Sequence, residues 1–102
     1  MPTTPPLVEE IRKILGLPDW TPFWDSVKFQ RGPASFTDPI EMAEFNIYHE
    51  LKAIQSYMIH SAQARTSGNE ELAKLFDHIR AEEEEHAKEL ASYVAGLRSI
   101  HP

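Results

Sequence analysis

Residues 81–90 read AEEEEHAKEL, and within them Glu83 and His86 stand three residues apart. On a helix that spacing turns both side chains to one side, within reach of a single ion. Set out at about 100° per residue, Leu72, Phe76, Ile79, Leu90, Tyr93, Val94 and Leu97 form one apolar stripe. Glu83 and His86 fall inside it, whereas Glu84 and Glu85 turn away. A carboxylate that faces a core must be paired, protonated or bound to a cation, because burying it alone costs several kcal/mol or more. The acidic run therefore contains one inward acid that needs a partner.

Immediately upstream, Ser67-Gly68-Asn69 breaks the periodicity, and Ser67 with Glu70 fits a capping box. The helix it opens is expected to run to about Gly96, leaving 97–102, with His101, as a frayed end. Before the break, Asp38-Pro39-Ile40-Glu41 reads as a helix start, with Asp as N-cap, Pro at the first helical position and Glu41 as capping-box partner. That helix should reach about Thr66. Along it Ala43, Ile47, Ile54, Met58 and Ser61 share a face with Glu50 and Tyr57, so a second acid lies on a core-facing stripe. A connection this short makes the two helices antiparallel neighbours.

Farther out, residues 17–36 carry Pro18, Pro22, Gly32 and Pro33 among Trp20, Phe23, Trp24, Phe29 and Phe36, half of the chain's ten aromatic residues. Prolines at this density forbid a long helix, yet such large apolar groups belong out of water. The expectation is an irregular arm packed on the helices or on a neighbouring subunit, with an aromatic docking surface as the alternative. Ahead of it, LVEEIRKIL at 7–15 has helical spacing with acids early and bases late. Gly16 ends that helix. Residues 1–6, with three prolines, read as an extended end. The organisation expected is thus an arm with one short helix at 1–38 and a helical hairpin at 39–102, all-α.

Composition narrows the function classes. At 102 residues there is one domain, whose own buried surface is modest, so a partner subunit would add stability. A net charge of −6 disfavours nucleic acid as partner and suits cations. The chain has no cysteine, which removes disulfides, thiolate metal sites, iron–sulfur clusters and thiol nucleophiles. Any metal must be held by histidine and carboxylates. Neither a membrane span nor a signal peptide fits, and a cytoplasmic protein is the default expectation.

Glu50-x-x-Ala53-x-x-x-Tyr57 on one helix and Glu83-x-x-His86-Ala87 on the next resemble the ferritin-like superfamily, nearest to rubrerythrins and encapsulated ferritins. In rubrerythrin-like proteins a lone Glu and an E-x-x-H from each half of a four-helix bundle hold two irons, and this chain carries one such half. Two copies about a twofold axis would supply four carboxylates and two imidazoles, and would complete the bundle by burying stripes that one hairpin leaves wet. The resemblance implies Glu50, Glu83 and His86 as metal ligands, with Glu83 bridging, and Tyr57 as the tyrosine beside the centre. It implies two irons per dimer, with manganese or zinc able to take their place, and ferroxidase activity for iron storage or detoxification. It implies a homodimer that can extend to a larger ring, with an encapsulin shell as a further partner and location.

Departures qualify those implications. Without cysteine there is no rubredoxin module to feed a rubrerythrin-like peroxidase, so that alternative needs an external electron donor. The acids that flank the lone Glu in encapsulated ferritins are replaced by His49 and Lys52 around Glu50. Only a few residues follow the second helix, where encapsulated ferritins continue into a shell-docking tail. Glu82, Glu84, Glu85 and Glu89 can draw cations towards the site, while His49, His60, His78 and His101 read as surface histidines and Met42 and Met58 as core fillers. The reading from a different class is a metal-free helical dimer whose aromatic arm binds a protein.

Overall fold

The computed structural model describes residues 4–100. Pro6, with its fixed φ, starts α1 (Pro6–Ile14), whose buried face is Val8, Ile11 and Arg12. Arg12 bonds Glu9 at 2.6 and 3.0 Å and donates to the Leu17 carbonyl at 2.6 Å, so the end of α1 is tied to the chain that leaves it. That chain reverses at Gly16, whose φ of 71° favours glycine.

The proline-rich arm forms two single-turn helices, α2 (Thr21–Trp24) and α3 (Val27–Gln30), and a 3₁₀ turn at Pro33–Ser35. The arm lies along the first long helix, α4 (Pro39–Thr66), as a continuous set of ring contacts. Trp24 sits 5.6 Å from Tyr48, Phe29 4.8 Å from Tyr48 and 4.9 Å from Phe45, and Phe36 5.2 Å from Phe45. The Trp24 indole, fully buried, donates to the Glu44 carbonyl at 3.0 Å. Trp20, Trp24, Phe29 and Phe36 are buried within this chain, so they build its own core and are not offered as a docking surface.

Asp38 caps α4 as its position predicts, accepting from the Ile40 amide at 2.9 Å. Glu41 does not complete a capping box; it takes the Lys28 ammonium of α3 at 2.6 Å instead, fastening the arm to the helix. At the other end the predicted Ser67–Glu70 box is absent. Ser67 closes α4 and its hydroxyl donates back to the Ala64 carbonyl, Glu70 pairs with Arg65, and Asn69 caps α5 (Glu70–Ile100) by accepting from the Leu72 amide at 3.1 Å. Asn69 wins because it directly precedes the first helical residue, whereas Ser67 is still on the last turn of α4.

α5 continues to Ile100, past Gly96, where fraying was expected. A glycine costs a helix about 1 kcal/mol, and here Val94, 2 % exposed, and the Arg98–Glu44 ion pair at 2.9 Å hold the final turns against α4. Beside the connection, buried Ser61 donates to Asp77 at 2.6 Å and receives Arg65 at 2.9 Å, which joins the two long helices near their turn.

Burial on the hairpin is uneven. α4 is covered on two sides: it buries Ala43, Ile47, Leu51, Ile54 and Ser61, sets Phe45 and Tyr48 against the rings of the arm, and holds Glu44 between the two, its carbonyl accepting from Trp24 and its carboxylate from Arg98 of α5. α5 buries only Ala73, Ala87 and Val94. Much of its predicted stripe is open: Tyr93 is 54 % exposed, Leu72 36 %, and neighbouring Leu75 52 %. Small residues let α5 sit close on α4, and the large apolar ones stand on the side that no described element covers. Met42, expected in the core, is exposed for the same reason, while Met58 packs at its edge.

Candidate metal centre

Glu50 projects from the middle of α4, and Glu83 and His86 from the middle of α5, all onto the uncovered side of the hairpin. One ligand atom from each lies within 4.8 Å of the others. The His86 Nδ1 is 3.8 Å from an oxygen of Glu50 and 3.8 Å from an oxygen of Glu83, too far for hydrogen bonds. The carboxylates are three-quarters or more buried, whereas the imidazole is half exposed at the mouth. Glu50 Oε2 has no contact with solvent and no hydrogen-bond partner. A buried carboxylate oxygen without a donor is costly, and here it faces a second acid and an imidazole. Two oxygens and one nitrogen converging without mutual hydrogen bonds are a donor set suited to a divalent cation such as iron(II), manganese or zinc.

Tyr57 lies two turns along α4 on the Glu50 face, partly buried, its ring 5.9 Å from Phe76. Glu82 does not join the cluster; it pairs with His78 at 3.0 Å on an exposed flank of α5. Glu84 leans on Arg80 at 3.8 Å and Glu85 on Lys88 at 3.7 Å, so these acids are solvated partners of their own helix. His49 is exposed, as expected of a surface histidine, with one side of its ring set against the arm. Its ring packs 4.6 Å from Phe45 and is stacked on Phe29, and burial, aided by Lys52, pushes its pKa down. His101 lies outside the described residues.

The acid that sequence reasoning missed is Glu44, 3 % exposed. Burial raises its carboxyl pKa, and the Arg98 guanidinium opposes that rise. The signal was present: Glu44, Tyr48 and Leu51 recur at helical spacing on α4, beside the stripe of Ala43, Ile47 and Ile54. A helix with apolar residues on two flanks is buried on both.

Two long antiparallel helices bring two carboxylates and an E-x-x-H histidine into one cluster, a helical hairpin whose donor set could hold a metal ion. The family model for the ferritin-like domain matches residues 9–100, and the chain belongs to that family. No curated protein and no solved structure matches it. No described helix is long and apolar enough to cross a membrane.

Proposed function

We propose that this chain is a ferroxidase subunit of encapsulated-ferritin type that binds and oxidises iron(II) at a site completed by a second copy. The observation that carries the reading is the buried, unpartnered Glu50 oxygen held in the cluster with Glu83 and His86. One copy offers three ligands, too few for two ions. Two copies would offer four carboxylates and two imidazoles, with Glu83 in the bridging position and Tyr57 beside the site.

The open apolar side of α5 supports the partner. Leu72, Leu75 and Tyr93 flank the cluster on that side, and a second hairpin laid there would bury them while bringing its own ligands in. The flank of α4 that carries Phe45 and Tyr48 is already closed by the arm. Iron(II) is the substrate: oxygen ligands with imidazole hold it at open positions and favour iron(III) once formed, so two neighbouring ions can pass two electrons to one oxidant. The chain's own part is to hold the ions side by side and to neutralise their charge. Enclosure in an encapsulin shell belongs to the same proposal.

Native mass spectrometry of protein loaded anaerobically with iron(II) tests it. Two irons per dimer, lost in Glu50→Ala and in His86→Ala, are expected, and oxygen should then outpace peroxide as oxidant. An iron-free dimer or a monomer overturns the proposal.

A further inference from the structure

The residues that α5 buries, Ala73, Ala87 and Val94, stand on a spacing of seven, and the position that completes the series is Arg80. Positions seven apart stay close to one line along a helix, so the stem of Arg80 enters the seam against α4 where the other layers are apolar. Its Nε has no contact with solvent and no hydrogen-bond partner. Among described residues that are not themselves exposed, the one other side-chain atom in that condition is the Glu50 oxygen. The seam therefore holds a donor without an acceptor and an acceptor without a donor.

Three acids stand three or four residues from Arg80 on α5, where helical side chains meet: Asp77, Glu83 and Glu84. Asp77 is already held by Ser61 and Arg65. Glu84 lies 3.8 Å from the Nε, an ion pair too long for a hydrogen bond, and with the base ahead of the acid, the weaker order on a helix. Glu83 is the remaining partner. The same pairing emerges from the side of the cluster: no residue three or four positions from Glu50 is basic, and of those so placed around Glu83 only Arg80 carries a fixed positive charge.

We infer that Arg80 is a positioning residue for the metal centre: its guanidinium holds Glu83 when no ion is bound and passes to Glu84 when one enters. The inference rests on the proposed metal centre. Glu50 and Glu83 are mostly buried, and two such carboxylates repel each other without a cation between them. A guanidinium on Glu83 supplies the missing charge. With Arg80 turned to Glu84, Glu83 is released towards Glu50 and His86, the convergence that an ion requires. Glu84 thereby gains a role at the centre without touching it: it draws the competing cation aside.

Manganese(II) titrated calorimetrically into the full chain tests the exchange. Arg80→Gln is expected to bind the ion about tenfold more tightly, because a positive charge competing for one ligand is gone. Arg80→Lys keeps that charge and is expected to stay within about threefold of wild type. Glu84→Gln should weaken binding in wild type and have little effect when combined with Arg80→Gln, because its role runs through Arg80. The exchange is overturned if Arg80→Gln binds no more tightly than wild type, or if the Glu84→Gln loss is the same in both backgrounds. It is also overturned if Arg80→Lys matches Arg80→Gln, since packing in the seam rather than charge would then set the affinity. Glu50→Ala separates this claim from the one beneath it. Binding that Glu50→Ala abolishes but Arg80→Gln leaves unchanged removes the role of Arg80 and keeps the centre, whereas equal or absent binding in wild type and Glu50→Ala removes both.

Discussion

The two flanks of α4 are built from the same helix and meet different fates. On one, Tyr48 and Phe45 are sealed under the rings of the arm, and the acid beside them, Glu44, is matched by Arg98 of α5. On the other, Glu50 is left with a bare oxygen beside Glu83 and His86, and the apolar residues of α5 stand open. The closed flank spends its side chains on folding one chain. The open flank keeps unsatisfied groups of both kinds, apolar and anionic, and such groups are what a partner and a cation would satisfy. A buried acid is therefore informative only with its partners named: Glu44 is structural because a guanidinium meets it, and Glu50 is a candidate ligand because no described group donates a hydrogen bond to its Oε2.

That contrast can be broken most strongly on the closed flank. Trp24→Ala removes a fully buried indole and its bond to the Glu44 carbonyl, and should cost about 3–5 kcal/mol in urea unfolding. If the variant unfolds at the wild-type midpoint, the arm is not part of the core. A smaller loss is expected from Glu44→Gln, about 1–2 kcal/mol, since Arg98 is half exposed and recovers part of its hydration.

The same variant sharpens the comparison through pH. Burial raises the folded-state pKa of Glu44 above its unfolded value. An acid with a raised folded pKa favours the folded state while protonated, and that advantage declines as pH rises from the unfolded value to the folded one, then stays constant. The stability of wild type relative to Glu44→Gln should therefore fall across that window. A difference that grows with pH would mean that the Arg98 pairing, not burial, dominates.

The smallest effect belongs to the open flank and has the opposite sign. In metal-free protein, Glu50→Gln removes one of two adjacent carboxylates and gives the bare oxygen's position a neutral group. Stability should rise by up to about 1 kcal/mol while iron binding is lost. A destabilised variant would show that Glu50 serves the fold of the isolated chain.

Much of this was legible along the chain because helices encode their neighbours at fixed spacing. The Asp38-Pro39 start, the break before Glu70 and the phase of Glu50, Glu83 and His86 all follow from backbone geometry within a few residues. Harder to read were side chains with two local options. Glu41 and Ser67 both suited caps, but Lys28 reached Glu41 from thirteen residues away, and Ser67 turned back onto its own helix.

Sequence by itself determined an all-α chain with two long helices, three candidate ligands, Glu50, Glu83 and His86, on facing stripes, and an arm too rich in proline to be helical throughout. Periodicity and proline chemistry are local, so one chain's order of residues suffices for them. Tertiary structure alone decided which flank of α4 the arm covers, that Glu44 finds Arg98 fifty-four residues away, and that α5 leaves Leu72, Leu75 and Tyr93 open around the cluster. A stripe on a helix marks what must be covered; only the packing of separate elements in space says what the chain covers itself and what it leaves for a second molecule.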